Sequence, residues 1–315
     1  MTWLTEPFAT EFMVRALVGG TLVAAICALV GTWVVIRGMA FLGEAMAHGT
    51  LPGVAAASLL GLPAILGAAV SATVMSIGIS LVSRRARLSN DTSIGLLFVG
   101  MLALGVIIVS HSQSFAVDLT AILFGDVLAI SAVDIALLIA ALCVTIAAIA
   151  LFHRAFVATA FDWRVAATMG LHPRMAHGAL VGLVTIAIVV SYGAVGSLLV
   201  IGLLIAPPVA AAHWSRRIPI LMIIAALFGA ASVLIGLLLS WHSGTAAGAS
   251  IALTAIALAA CSALVNHIID RFASSQKDTS AQHSPHKSPA RRPRLLRSVH
   301  GVRPRQRSRI GAGTE

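Results

Sequence analysis

The chain has 315 residues, of which 59% are hydrophobic and 10% charged, and a formal net charge of +10. A soluble globular domain carries about 25% charged residues, so the composition excludes an ordinary soluble enzyme and describes a polytopic membrane protein. The charge is lopsided, with ten Lys/Arg against nine Asp/Glu in residues 1–270 and eleven against two in residues 271–315. The basic balance therefore belongs to a Ser/Pro/Arg-rich tail too poor in apolar residues to fold, and no nucleic-acid partner is expected. We expect a transmembrane domain over 1–270 and a basic, disordered, cytoplasmic tail over 271–315, for which anionic lipid headgroups are a candidate contact. Cys27, Cys143 and Cys261 each sit in an apolar run and give neither a disulfide framework nor a Cys-x-x-Cys site.

In chain order, a short polar lead precedes a first apolar run, 16–36, which ends at Arg37. It lacks a basic start and the next run follows at once, so it reads as a span and not as a signal peptide. The stretch 38–53 then sets Glu44 and His48 inside apolar sequence. A charged group at membrane depth costs roughly 2.5–3.5 kcal/mol on insertion scales, and such residues face a partner, a cavity or a substrate path. Four residues apart on a helix, the carboxylate and the imidazole share one face and suit one metal ion. Spacing alone equally allows a core pair that satisfies itself. Gly49, Pro52 and Gly53 follow and should break the helix, which a membrane tolerates only where the backbone is buried in protein or lines a cavity.

Gly61-Leu62-Pro63 reads as a tight turn, and the next span runs to about Val82. Arg84, Arg85 and Arg87 place its end in the cytoplasm by the positive-inside rule. A span over 93–110 goes outward, and the following helix returns by about Phe152. Residues 153–177 form the longest polar interruption, and Arg154, Arg164 and Arg174 again point to the cytoplasm. Within it, Asp162 can cap a two-turn helix that Gly170 can end in the left-handed conformation. A helix so short is marginal alone and needs something to dock on; a turn lying on the membrane surface fits the same residues. The run 180–214, interrupted by Gly193, Gly196, Gly202 and Pro207-Pro208, is long enough for two short spans, and 221–239 and 249–269 complete the set. The count is eight or nine spans, and orientation favours nine with the N-terminus outside.

An energy source is not visible in the chain. A nucleotide-binding loop needs a Lys before Ser or Thr, and the only lysines, Lys277 and Lys287, lie in the tail. Proton coupling would draw on Glu44, Asp118, Asp126 or Asp134. No nucleophile elbow or His-Glu-x-x-His run supports a hydrolase, so the chain is not expected to be an enzyme.

The run Gly43-Glu44-Ala45-Met46-Ala47-His48-Gly49-Thr50-Leu51-Pro52-Gly53 resembles the Gly-Asp-x-x-x-His…Pro-Gly stretch of the zinc/manganese ABC importer permeases. Four further blocks are similar to that family's in the same order. These are Asn90-Asp91-Thr92-Ser93-Ile94-Gly95 with Ala103-Leu104-Gly105, Leu123-Phe124-Gly125-Asp126-Val127-Leu128, Phe161-Asp162 through Gly170-Leu171, and Val195-Gly196-Ser197-Leu198-Leu199-Val200 through Pro207. The resemblance covers roughly residues 15–268 and implies an all-α, metal-type ABC importer permease fold in the plasma membrane. It also implies a second permease copy, a cytoplasmic ABC ATPase that does the hydrolysis, and an extracytoplasmic metal-binding protein. Glu44 and His48 would meet the ion, and Asp162, Arg164, Ala166 and Gly170 would belong to the ATPase-docking loop. Glu44 stands where the family more often has Asp, which lengthens the ligand arm by one methylene, and Gly244-Thr245-Ala246-Ala247-Gly248 stands where it often has Pro. No permanently bound cofactor is implied. Carboxylate suits manganese and zinc alike and imidazole suits zinc, so zinc is expected first and manganese next. An ATP-independent carrier or channel for divalent cations is the alternative.

Overall fold

Backbone N–H and C=O groups find no water inside a bilayer, so a chain this apolar crosses it as helices. Helices are the only regular structure among the described residues, which in the computed structural model are 6–85, 90–110 and 125–282. The chain divides into two units, Met1–Asp270 and Arg271–Glu315, and the first holds the fold. In order, the helices are α1 (Glu11–Ile36), α2 (Ala40–Gly49), α3 (Leu51–Leu59), α4 (Ala64–Arg85), α5 (Asn90–Ser110), α6 (Ala132–Phe161), α7 (Trp163–Thr168), α8 (Pro173–Val195), α9 (Ser197–Ala212), α10 (Ile218–Ser243) and α11 (Ala247–Gln282).

Helix α1 is the centre of the bundle, packing against α6, α8, α9 and α10. Val23, Ala24, Ile26, Cys27, Ala28, Val30 and Trp33 are fully buried on it, and a helix that is apolar all round belongs inside. Helices α4, α5 and α6 instead expose Val70, Val74, Val106, Ile107 and Leu151, as lipid-facing helices do.

Close approach to α1 depends on small residues. A Cβ added at Gly31 would lie 1.9 Å from the carbonyl oxygen of Leu204 on α9. Pro208, four residues on from Leu204, has no N–H to give that carbonyl, so α9 carries a carbonyl outside its own ladder and α1 lies directly against it. Pro207 and Pro208 stand inside α9 without ending it, and the expected break in the 180–214 run falls at Gly196 alone, whose φ is +76°.

Seven helices among the described residues are long and apolar enough to cross a membrane, namely α1, α4, α5, α6, α8, α10 and α11. The expected eight or nine counted two more segments. One is α9, whose 16 residues reach about 24 Å at 1.5 Å per residue, short of a ~30 Å hydrocarbon core. The other is the second span, which is two helices of 10 and 9 residues parted at Thr50. Helix α6 also runs on to Phe161, well past the Phe152 expected from the polar His153-Arg154, because Arg154 is exposed while His153 packs edge-on to Trp33 with ring centroids 5.8 Å apart.

Gly31→Val should lower the thermal midpoint of the detergent-solubilised protein by about 2–12 °C in a thermal-shift measurement, since overpacking costs about 1–3 kcal/mol and each kcal/mol moves Tm by about 2–4 °C in larger domains. Gly182→Val, where an added Cβ meets nothing within 4 Å, should leave it within ~2 °C.

Candidate functional site

Helix α2 starts three residues after α1 ends, through a turn at Gly38 with φ +64°. Its two faces differ. Leu42, Ala45 and Met46 are fully buried; a Cβ at Gly43 would meet Leu204 Cδ2 at 2.5 Å and one at Gly49 would meet Met75 Sδ at 2.0 Å, so this face is wedged between α9 and α4. Phe41, Glu44 and His48 occupy the other face, where Phe41 and Glu44 are exposed and His48 is half-buried. The structure thus brings the two expected ligands together on one face, as the four-residue spacing requires. Phe98 of α5 stands beside them, its ring centroid 5.9 Å from that of His48 and 5.8 Å from that of Phe41. Nothing in the sequence singled Phe98 out; only the packing of α5 on α2 reveals it.

Glu44 makes no hydrogen bond or ion pair among the described residues, and the His48 ring packs on the Phe98 ring. The pair therefore does not satisfy itself. No group of three or more His, Cys, Asp or Glu that could hold a metal occurs among the described residues.

The helix breaks immediately beyond His48, and side chains close the break. Thr50 Oγ1 donates to the Ala47 carbonyl at 2.6 Å, and Ser71 Oγ of α4 donates to the Gly49 carbonyl at 2.7 Å. Helix α3 then resumes with Pro52 in its first turn, and its backbone comes so near α4 that a Cβ at Gly53 would lie 2.0 Å from the Gly67 carbonyl. Further along α4, Ser76 and Thr185 share a 2.8 Å hydrogen bond that ties α4 to α8.

The other acidic candidates separate. Asp134 is occupied as a helix cap, its carboxylate accepting from the Ser131 N–H at 2.9 Å while Ser131 Oγ accepts from the Asp134 N–H at 3.2 Å. Asp126 is exposed in the turn before α6. Asp118 lies outside the described residues.

The second expected group sits between α6 and α8. Asp162 Oδ1 accepts from the Arg164 N–H at 2.7 Å and the Asp162 carbonyl from the Ala166 N–H at 3.1 Å, which starts α7. Gly170 ends it with φ +71° while the Leu171 N–H returns to the Ala166 carbonyl at 3.1 Å. Ala166 is fully buried and α7 packs on α6 and α8, whereas Asp162, Arg164 and Gly170 are exposed. The buried Ala166 thus faces the bundle while Asp162 and Arg164 face outward.

A multi-pass helical bundle with an open carboxylate–imidazole pair at a broken span, and a capped short helix projecting between two spans, has the build of a membrane transport subunit. The chain matches the description "ABC 3 transport family" over residues 9–266, and it belongs to that family, the permeases of metal ABC importers. It is a multi-pass protein of the plasma membrane. It is 34% identical over 255 residues to the "Manganese transport system membrane protein MntC" of Listeria monocytogenes, covering 81% of this chain and 91% of that one. It is also 34% identical over 251 residues to the "Probable iron transport system membrane protein" of Haemophilus influenzae, covering 80% and 92%. Among solved structures it is similar to "PsaBC from Streptococcus pneumoniae in complex with Fab", with a TM-score of 0.72 at 30% identity, covering 82% of this chain and 94% of that one.

Asp162→Ala should remove about 1 kcal/mol of capping and so speed amide hydrogen exchange across residues 164–168 by roughly fivefold, with the exchange of α6 and α8 unchanged.

Proposed function

We propose that the chain takes a divalent transition-metal ion from an extracytoplasmic metal-binding protein and passes it to the cytoplasm, while a separate cytoplasmic ABC ATPase hydrolyses ATP. The observation that carries this reading is Glu44, an exposed carboxylate in a span, without a partner among the described residues, one helical turn from His48. A carboxylate left facing lipid would be costly; a second copy of the chain that covers this face removes that cost and brings a second Glu/His pair to the first. Four ligands divided between two copies can open and close, which a closed cage within one chain cannot do.

Manganese is the cargo best supported, with iron next. Carboxylate oxygen suits Mn2+ and imidazole suits iron and zinc, and the relatives' names carry manganese and iron. The zinc favoured by the imidazole alone gains no support from those names. The ion is cargo, so the permease needs no resident cofactor. The stand-alone carrier has no observation in its favour.

The basic residues orient the chain. With the interrupted α2–α3 segment and the short α9 counted as crossings, Arg37, Arg154, Arg164, Arg174, Arg216 and Arg217 adjoin span ends on one side, which by the positive-inside rule faces the cytoplasm, and the transmembrane domain 1–270 ends on that side with the tail 271–315. Helix α7 then faces the ATPase, with Asp162 and Gly170 setting its ends, Ala166 holding it to the bundle and Arg164 at the rim of the contact.

In vesicles that hold the chain, its ATPase and its binding protein with MgATP, radiolabelled Mn2+ uptake should exceed uptake of Zn2+. Glu44→Ala or His48→Ala should lower it by more than the ~10–100-fold that even an outer-sphere partner costs a metal site, with membrane insertion unchanged; normal uptake by both variants would sink the site. Gly170→Val, which forces a branched side chain into a left-handed backbone at about 1–2 kcal/mol, should cut co-purification of the ATPase and uptake together.

A further inference from the structure

We propose that Arg37 is a positioning residue of the transport cycle, the link through which movement of α7 reaches the ion-carrying helix α2. The inference rests on the reading of α7 as the ATPase contact and of α2 as the ion-carrying helix.

Helix α7 follows α6 after the single residue Asp162, whose N–H donates to the Ala158 carbonyl at 3.1 Å. The last turn of α6 and the start of α7 are therefore one mechanical piece. That turn contains Thr159, whose hydroxyl oxygen accepts a hydrogen bond from an Arg37 terminal guanidinium nitrogen and itself donates to the Ala155 carbonyl at 2.7 Å. One turn back on α6, the Phe156 ring lies under the guanidinium, 5.7 Å from ring centroid to Cζ. Phe156 is fully buried and packs on Trp33 at 5.2 Å and on Phe152 at 5.9 Å. Arg37 is thus gripped by α6 through a polar contact and an aromatic face.

On its own chain, Arg37 immediately precedes the Gly38 turn. Gly38 has φ +64°, and a Cβ there would meet nothing within 4 Å, so the turn is unobstructed. It is closed by two backbone bonds, Gly38 N–H to Val35 at 3.0 Å and Met39 N–H to Val34 at 2.9 Å. Helix α2 begins at Ala40, and Glu44 follows one turn on. A pull on the guanidinium therefore acts at the base of the helix that carries Glu44 and His48.

The chemistry favours a transmitting role over a purely adhesive one. Trp33 and Phe156 already join α1 to α6 by apolar contact, which needs no charge. A guanidinium keeps its charge at any physiological pH, although burial pulls its pKa downward, and its Nε has no hydrogen-bond partner among the described residues. This cation is incompletely satisfied where it rests, which suits a group that exchanges contacts as α6 moves. Hydrogen bonds from a charged donor are roughly twice as strong as neutral ones, so the contact to Thr159 adds a directional link to the apolar one.

The test uses the full chain with its ATPase and binding protein in nanodiscs or vesicles, and compares Arg37→Met, Arg37→Lys, Thr159→Val and Gly170→Val. Four quantities are read: co-purified ATPase, ATP hydrolysis, Mn2+ affinity and Mn2+ moved per ATP. For Arg37→Met we expect co-purification, hydrolysis and Mn2+ affinity within about twofold of wild type and Mn2+ moved per ATP lower on the order of tenfold, inside the 5–150-fold span of allosteric couplings. Arg37→Lys should restore part of the loss. Thr159→Val should reproduce it in smaller degree, and it decides the matter should Arg37→Met fail to fold. An unchanged Mn2+/ATP ratio in the folded variants overturns the proposal, as does a loss of co-purified ATPase in Arg37→Met, which would make Arg37 an anchor only. The underlying reading fails differently: Gly170→Val would then keep its ATPase and its uptake.

Discussion

The hydrogen bond from Ser71 Oγ to the Gly49 carbonyl is the contact on which the arrangement around Glu44 and His48 depends. Within a bilayer an unpaired carbonyl costs several kcal/mol, so a span can be interrupted at membrane depth only if a neighbour takes over the released groups. Ser71 does so from α4 and Thr50 from within the break. The break is thereby fixed to α4, and everything on the near side of it, including Glu44 and His48, keeps its heading relative to that helix.

Fixing the break also sets what lies around it. Gly49 sits against Met75, Gly53 against Gly67 and Gly43 against Leu204, so α2 and α3 are pressed to α4 and α9 along one side with no room for a larger residue. The opposite side, with Phe41, Glu44 and His48, has only Phe98 in ring contact. Tight packing on one face and an open polar pair on the other is the distribution expected of a segment that must be held in register yet meet an ion. Just past the C-terminal end of α1, the same glycine logic is used for freedom: a Cβ at Gly38 would meet nothing within 4 Å, where one at Gly31 would run into Leu204.

Much of this was legible in the sequence where one residue governs the outcome locally. Asp162 and Gly170 set the ends of α7 because a cap and a left-handed terminator act through their own backbone neighbours, and Gly196 parts α8 from α9 for the same reason. Reading failed where tertiary contact overrides the local signal. Pro207 and Pro208 looked like a break, yet α9 continues through them because Gly31 lets α1 close over the carbonyl they release. His153 and Arg154 looked like a loop, yet α6 carries them because one packs edge-on to Trp33 and the other faces outward. Arg37 read as the end of a span; its grip on Thr159, 122 residues away in the chain, has no trace in pattern or spacing.

The charges of the bundle show why Glu44 stands apart. Glu11 pairs with Arg15 one turn along at the start of α1. Asp134 caps α6 and Asp162 caps α7, each close to backbone N–H groups that a carboxylate stabilises. These residues sit at helix ends, where a charge lowers the free energy of folding. Glu44 lies mid-helix, one turn before a break, exposed, and beside an imidazole that does not bond it. A carboxylate so placed contributes nothing to the stability of the single chain and raises the cost of insertion. Under the function proposed above, a second chain and the ion between them would account for its place.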